Sequence, residues 1–244
     1  MNTTAHVVDV RQLTYTYPKT TEPAVRGMDF TVSAGEIFGF LGPSGAGKST
    51  TQKLLIGLLR GHGGQALVWG KDPLDWGSDY YQRIGVSFEL PNHYLKLTGA
   101  ENLRFFASLY DGQTREPREL LEAVGLTGVA MQAAGSLPYG HKRALELATT
   151  LAMDPQLMLL DEPTQGMGHE DVDRVTQLIK KVSVGRTILM VEHNTNVVSS
   201  IADRITVLQR GAIIADGPYA EVSKNPLVIE AYMGTADAAL AGAH

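Results

Sequence analysis

The feature that most constrains this chain is an abrupt change from an apolar run to a glycine-rich turn and then to a helical pattern. Residues 36–41 read EIFGFL, residues 42–50 read GPSGAGKST, and STTQKLLIGLL occupies 49–59. The short apolar run predicts a buried strand, and the apolar spacing after it predicts a helix. Glycine tolerates backbone conformations that other residues resist, so a tight turn between them is allowed. A buried strand that passes into a helix in this way is typical of α/β proteins.

Strands dominate the sequence before this turn, and helices alternate with strands further on. HVVDVRQLTYTY at 6–17 and MDFTVSAGEIFGFL at 28–41 are rich in valine, threonine and aromatic residues, which favours strands. Helical patterns then cover much of 90–155. QLMLLD at 156–161 and RTILMVE at 186–192 are buried-strand runs separated by another helical pattern. Strands that alternate with helices predict a mainly parallel sheet with a helical insertion.

Two local signals predict where elements begin and turn. Thr98 stands three residues before Glu101, which is the spacing of a capping box at a helix N-terminus. RITVLQRGAIIADG predicts a hairpin that turns at Arg210 and Gly211.

Composition narrows the class of protein. Apolar residues make up 43% of the 244 residues, which is enough for a sizeable core. The net charge of −5 gives no reason to expect a nucleic-acid partner. Cysteine is absent, which excludes disulfides and thiolate chemistry and fits a reducing cytoplasm. We find no apolar run long enough to span a bilayer and no signal-peptide pattern at the N-terminus, so a membrane role would need a partner.

The glycine-rich turn also carries a phosphate-binding pattern. Gly42, Gly47, Lys48 and Ser49 match G-x-x-x-x-G-K-[S/T], in which backbone N–H groups surround a polyphosphate. Lys48 can neutralise the β- and γ-phosphate oxygens, and the Ser49 hydroxyl can bind Mg²⁺. The alternative is a plain strand–turn–helix junction, but the strand before and the helix after are the context that the motif requires. The predicted nucleotide-binding residues are Gly42, Pro43, Ser44, Gly45, Ala46, Gly47, Lys48, Ser49 and Thr50.

A second candidate element is LMLLDEP, in which four apolar residues precede Asp161 and Glu162. The run predicts a buried strand with Asp161 at its carboxyl end, where a phosphate-bound Mg²⁺ would lie. Glu162 would then be free of the metal and could orient or deprotonate a water molecule. Such a run alone is a weak signal, and it gains weight from the phosphate-binding pattern.

His193 follows the next apolar run, TILMVE. A single histidine in this position is commonly a structural residue with satisfied hydrogen bonds. Its place after the strand beyond LLDEP favours a contact with the γ-phosphate instead. The other histidines show no metal-ligand spacing.

This set of motifs resembles the ATPase subunit of an ATP-binding-cassette (ABC) transporter, from about residue 6 to 232. The resemblance implies ATP and Mg²⁺ as cofactors and catalysis by Glu162, His193 and Lys48. It implies an aromatic ring stacked on adenine, for which Tyr17 is the best match and Tyr15 the second. It also implies nucleotide or metal contacts from Glu89, which stands where the family has glutamine; the implied metal ligands are Ser49, Asp161 and Glu89.

The resemblance also implies a domain plan. Residues 1–89 and 156–220 would form the nucleotide-binding α/β core, a P-loop fold of ABC type with a mixed parallel sheet and an N-terminal antiparallel β subdomain. Residues 90–155 would form an inserted helical subdomain that carries the family signature. Residues 221–244 would form a C-terminal helix and a frayed tail.

The signature region departs from the family pattern. Where the family has LSGGQ, this chain has LPYGH, and Gly168 occupies a position that the family gives to aspartate. In the family, the signature of one subunit closes on the γ-phosphate held by another, so two head-to-tail sites form. Pro138 removes a hydroxyl and an N–H from that contact, while Gly140 and the helix N-terminus keep others. The predicted contacts are Leu137, Pro138, Tyr139, Gly140 and His141.

The two halves of the chain resemble different branches of the family. LPYGHKRALELA, DEPTQGMGHED and the C-terminal sequence resemble branched-chain amino-acid importers, whereas IGVSFELPNHYLKLTGAENLRFFASLY resembles drug exporters. Two interpretations follow: a chimera joined near residue 130, natural or engineered, or a single lineage that diverged.

Together these features predict an ATP-hydrolysing subunit that drives transport through a separate transmembrane permease. ATP would join it to a second ATPase subunit, as a homodimer or a heterodimer, on the cytoplasmic face of the cell membrane. Two alternatives are a soluble ABC ATPase unconnected with transport and an ATP-gated binding module that hydrolyses slowly. A chimera without a native partner is a third.

Overall fold

A computed structural model describes residues 6–90, 92–110 and 114–232. The chain divides into two compact units, residues 1–77 with 191–244 and residues 78–190. The predicted helical insertion, 90–155, lies within the second unit, and its boundaries remain a prediction. The predicted frayed tail lies outside the described residues from 233 onward.

The first unit contains a three-stranded antiparallel sheet. Its strands are β1 (His6–Tyr15), β2 (Val25–Ser33) and β4 (Gly63–Val68), in the order β2-β1-β4. Strand β1 pairs antiparallel with both neighbours. Alternate side chains along β2 are buried, which is the pattern of a sheet with one face on the core. The predicted N-terminal antiparallel subdomain is therefore confirmed.

A second group of strands in this unit holds the glycine-rich turn. Strand β3 (Ile37–Leu41) is buried along its whole length and pairs in parallel with β8 (Arg204–Gln209). Helix α1 (Lys48–Ile56) begins directly after the turn. Strand β9 (Ala212–Gly217) returns antiparallel to β8, so the predicted hairpin is confirmed. Arg210 and Gly211 have φ of 48° and 83°, as a tight hairpin turn requires.

Helices complete the C-terminal part of the first unit. Helix α6 (Thr195–Ile201) precedes β8, and helix α7 (Tyr219–Val222) follows β9. Residues 226–232 are also helical. The predicted C-terminal helix and tail at 221–244 remain a prediction.

In its described residues, the second unit is built from strands and four helices. Strand β5 (Ile84–Ser87) pairs in parallel with β6 (Leu157–Asp161), and β7 (Thr187–Val191) lies next to β6. All five residues of β6 are buried, as its apolar sequence predicts. The helices are α2 (Gly99–Ala107), α3 (Pro117–Ala123), α4 (Tyr139–Thr150) and α5 (His169–Val182). Short 3₁₀ turns cover Pro73–Asp75, Ser78–Tyr80, Thr127–Val129 and Ala134–Ser136 in the two units.

The predicted capping box is present at the start of α2. The Thr98 hydroxyl accepts a bond from the Glu101 N–H at 3.2 Å, and the Glu101 carboxylate accepts one from the Thr98 N–H at 2.8 Å. Both bonds satisfy donors that a helix N-terminus otherwise leaves unpaired. Along the described ranges, no helix is both long enough and apolar enough to cross a membrane.

Candidate functional site

The glycine-rich turn adopts backbone conformations that only glycine accepts easily. Gly42, Gly45 and Gly47 have φ of 141°, 77° and 102°. A Cβ on Gly42 would lie 2.2 Å from the Leu208 carbonyl oxygen, and one on Gly47 would lie 2.6 Å from that of Ala24. Gly45 has no neighbour within 4 Å of a Cβ position. The two end glycines therefore fix the turn against its own unit, while the middle of the turn is open.

Lys48 folds back over this turn from the first residue of α1. Its Nζ donates hydrogen bonds to the carbonyl oxygens of Gly42 at 2.7 Å and Pro43 at 3.0 Å. The side chain is buried, so its ammonium group is held close to the turn. A cation at this position can attract polyphosphate oxygens, in agreement with the predicted role.

Tyr17 lies beside the start of the same helix. Its phenolic oxygen is 3.1 Å from the Thr50 hydroxyl, and its ring packs edge-on against Tyr15 with centroids 5.0 Å apart. Tyr15 is buried, whereas Tyr17 is half-buried. This exposure favours Tyr17 over Tyr15 as the ring available to a ligand.

His193 also belongs to the first unit and is exposed just before α6. The carboxylate of Glu192, which is buried, accepts bonds from the N–H groups of His193 at 3.0 Å and Asn194 at 3.2 Å. Glu192 therefore fixes the backbone from which the His193 ring projects. Sequence reasoning missed this carboxylate, although a charged residue at the end of an apolar run is a usable signal.

Asp161 ends strand β6 in the second unit and Glu162 follows it directly, and both residues are buried. Glu162 has φ of 49°, a left-handed conformation that is uncommon for a residue with a side chain. Such strain concentrates at functional sites. The Glu162 carbonyl oxygen accepts a bond from the Gln165 N–H at 3.1 Å, which closes a turn immediately after the strand.

The LPYGH segment forms the entry to α4. Pro138 is the N-cap residue with extended backbone, and Tyr139 begins the helix, so proline stands where its missing N–H costs little. Leu137 is buried beneath the turn, and His141 is half-buried. The segment thus presents a helix N-terminus, as expected.

Gly140 has a role within its own chain. A Cβ on Gly140 would lie 2.5 Å from Oδ1 and 2.7 Å from Cγ of Asp171, in the first turn of α5. The sequence analysis predicts that this glycine and its helix N-terminus keep N–H contacts with a bound phosphate. The structure supplies a second reason, because α4 and the Asp171 side chain are already in close contact.

Glu89 is exposed, and the structure ties its backbone to α4. Its carbonyl oxygen accepts a bond from Arg143, a fully buried arginine that also pairs with Glu146 at 2.8 Å.

The buried pair of Arg143 and Glu146 has an altered protonation equilibrium, because burial raises the pKa of Glu146 against the opposing effect of Arg143. Burial also lowers the pKa of the neighbouring His93 to about 4. Sequence reasoning missed this pair, which an i,i+3 arginine and glutamate within an apolar helix pattern could have indicated.

The predicted site residues therefore fall into two groups. The glycine-rich turn, Lys48, Tyr17 and His193 belong to the first unit. Asp161, Glu162, Glu89 and the LPYGH segment belong to the second.

Among the residues that the structure describes, no three histidine or carboxylate side chains form a metal cluster. A nucleotide-bound Mg²⁺ commonly uses only one or two protein ligands together with phosphate oxygens, so the lack of such a cluster does not bear on the predicted ligands.

Solved structures define the class of protein. The ADP conformation of an ATP-binding cassette of an ABC transporter matches with a TM-score of 0.84 and 23% identity, over 95% of this chain and 100% of that one. A dimeric cassette in a post-hydrolysis state, bound to ADP and Pi, matches with a TM-score of 0.74 and 26% identity, over 87% and 98%. The fold is that of an ATP-binding cassette, as the sequence predicted.

The family follows from sequence comparison. The family model described as ABC transporter matches residues 25–165, and the chain belongs to that family. It is an ATP-binding subunit with ATPase activity. A model described as branched-chain amino acid ATP-binding cassette transporter matches residues 212–238.

Two curated relatives represent the two branches. A fluoroquinolones export ATP-binding protein of Mycobacterium tuberculosis is 56% identical over 214 residues, 87% of this chain and 71% of that protein. A high-affinity branched-chain amino acid transport ATP-binding protein of Pseudomonas aeruginosa is 33% identical over 87% and 92%. Because the exporter relative spans 87% of the chain, its alignment crosses residue 130. The alignment therefore gives no support for a chimera joined near residue 130, and it is compatible with a single lineage.

The contact between Gly140 and Asp171 predicts a stability effect. Gly140→Ala should lower the free energy of unfolding by only about 0.5 kcal/mol, because the added methyl group displaces the Asp171 carboxylate, the end of a part-exposed side chain that can turn away. Asp171→Ala in the same chain should recover most of the loss. Gly128→Ala, where a Cβ has no neighbour within 4 Å, is the matched control. Denaturant unfolding measures all four proteins, and a stable Gly140→Ala single variant would contradict the contact.

Proposed function

We propose that this chain is the motor subunit of a membrane transporter, in which ATP binding joins two ATPase subunits and hydrolysis separates them. The observation that carries the proposal is the glycine-rich turn with Lys48 folded over it, in a chain of the ABC transporter family. Such subunits act on the cytoplasmic side of the membrane, and we place this one at the inner face of the cell membrane.

ATP would bind through the turn at 42–50. Its backbone N–H groups would surround the phosphates, Lys48 would neutralise the β- and γ-oxygens, and Tyr17 would stack on adenine. The contact between Tyr17 and Thr50 supports this arrangement, since it places the ring near the helix N-terminus. The proposed Mg²⁺ ligands are Ser49, Asp161 and Glu89, and the metal ion would neutralise charge that develops on the phosphates.

Hydrolysis would use Glu162 as the general base. Its buried carboxylate and its strained backbone are consistent with a group held for catalysis. His193 would contact the γ-phosphate. Glu192 supports that role because its carboxylate accepts hydrogen bonds from the N–H groups of His193 and Asn194 and so holds the backbone that carries the His193 ring.

A second ATPase subunit would complete each site. The segment Leu137–His141 would approach the nucleotide held by the partner, with Tyr139 and Gly140 in the first turn of α4. The helix N-terminus offers N–H groups to an anion even though Pro138 supplies none. The solved dimeric relative supports an assembly of two cassettes.

An exposed apolar surface of the second unit is our candidate contact for the permease. Phe88 and Leu90 are 38% and 72% exposed after β5, and Tyr94 and Leu95 are 50% and 60% exposed before α2. Contiguous exposed apolar residues of this kind mark protein contacts. A cavity of about 260 Å³ is lined in part by Phe88 and by residues of α2 and α4. A cytoplasmic loop of the permease would occupy this surface.

Loss of the Lys48 ammonium should weaken ATP binding. Hydrogen bonds to charged groups contribute about 1.5–3 kcal/mol, so Lys48→Ala should raise the Kd for ATP by about 10- to 100-fold. Lys53→Ala, on the same helix, is the matched control and should leave the Kd unchanged. Titration calorimetry measures both, and equal affinity for Lys48→Ala and the native chain would reject the ATP site.

Removal of the proposed base should arrest the cycle after ATP binding. Glu162→Gln should lower kcat by about 10²- to 10⁴-fold, the usual contribution of a general base. With ATP and Mg²⁺ it should accumulate as a dimer, visible by light scattering. Glu170→Gln, an exposed glutamate on α5, is the control. If the Glu162→Gln variant released phosphate at the rate of the native chain, another residue would be the base.

We further propose that the transporter exports its cargo, because the exporter relative is 56% identical. Cells that lack this chain should retain more of a fluoroquinolone, since the relative is a fluoroquinolones export ATP-binding protein. Re-expression of the native chain should reverse the effect and Lys48→Ala should not. If the intracellular drug concentration were the same in the deletion strain, the strain with the native chain and the strain with Lys48→Ala, fluoroquinolones would be excluded as the cargo.

A further inference from the structure

Arg143 is almost completely buried, with 2% of its surface exposed, yet it carries a permanent charge. It lies on α4 two residues after His141 and projects toward two segments of its own unit. Burial of a charge is costly unless the group is paired and hydrogen-bonded. The partners of this guanidinium therefore show what its charge holds in place.

Those partners are backbone carbonyls from two separate parts of the second unit. Nη1 donates to the Phe88 carbonyl oxygen at 2.8 Å, and Nη2 donates to that of Glu89. Nη2 also lies 3.4 Å from the carbonyl oxygen of Glu162. One planar group thus connects the exposed segment after β5 with the strained residue after β6.

Glu146 neutralises the arginine and repeats part of the connection. Its carboxylate accepts a bond from Arg143 at 2.8 Å and another from the Phe88 N–H at 3.2 Å. Both polar groups of the Phe88 backbone are therefore bound by the Arg143–Glu146 pair. The pair sits one helical turn inside α4 from the LPYGH segment.

We propose that Arg143 is a positioning residue that holds the Glu162 backbone in register with the 88–89 segment. The inference rests on the proposed function, because Glu162 matters to the rate only if it is the base. A shift of the 88–89 segment would move the guanidinium and thereby the peptide from which Glu162 projects. The same link connects the candidate permease surface at Phe88 with the catalytic turn.

Three variants separate positioning from stability. Arg143→Met leaves Glu146 buried without its partner and should be strongly destabilised. Arg143→Met combined with Glu146→Met replaces the pair with apolar groups and should recover the melting temperature. Arg143→Lys keeps the charge but lacks the planar fork that reaches several carbonyls at once.

The kinetic expectation is a loss of rate without a loss of ATP affinity. The double variant and Arg143→Lys should each show kcat about 10- to 100-fold below that of the native chain, the scale of a small misplacement of a catalytic group. Their Kd for a fluorescent ATP analogue should stay within about twofold of the native value, because the glycine-rich turn is unchanged. Arg186→Met is the matched control, since Arg186 also binds a carbonyl, that of Val182, but none of the site residues.

The outcomes are distinct. Low kcat in a double variant with a native melting temperature supports positioning by Arg143. Recovery of both stability and kcat in the double variant overturns it, because the pair would then serve folding alone. A Glu162→Gln variant with native kcat rejects the proposed base instead, whatever the Arg143 variants show.

Discussion

The structure of the first unit depends on close approach at Gly42. The turn leaves β3 so near to β8 that a single carbon atom on Gly42 would lie 2.2 Å from a backbone oxygen. Parallel pairing of β3 with β8 and the entry into α1 both follow from that contact. Lys48 then closes over the turn because the same tight path turns two carbonyl oxygens toward it. The proposed phosphate site would therefore depend on the packing of β3 against β8.

Much of the fold could be predicted from the sequence because its signals are local. Apolar runs gave β3, β6 and β7, the capping box gave the start of α2, and Arg210–Gly211 gave the hairpin. The glycine-rich turn was predictable for the same reason, since nine consecutive residues contain the whole pattern. The family and its ATPase class followed from these motifs. The roles of individual site residues remain predictions.

The contacts that sequence reasoning missed are those between residues far apart in the chain. Arg143 binds Phe88, 55 positions away, and nothing in the local helix pattern specifies that partner. Gly140 was interpreted from its motif alone, and the sequence does not reveal that the Asp171 side chain lies close to it. The chimera, one of two interpretations that the sequence left open, stays unconfirmed. Short motifs resembled two branches, whereas one relative aligns across the whole region.

The contact between Gly140 and Asp171 has a consequence for how this chain can change over evolutionary time. A larger residue at position 140 requires the Asp171 carboxylate to turn away or a smaller residue to stand at 171. Substitutions at 140 should therefore be accompanied by changes at 171 among close homologues more often than by chance. The signature glycine would then be retained partly by its neighbour on α5, independently of any nucleotide.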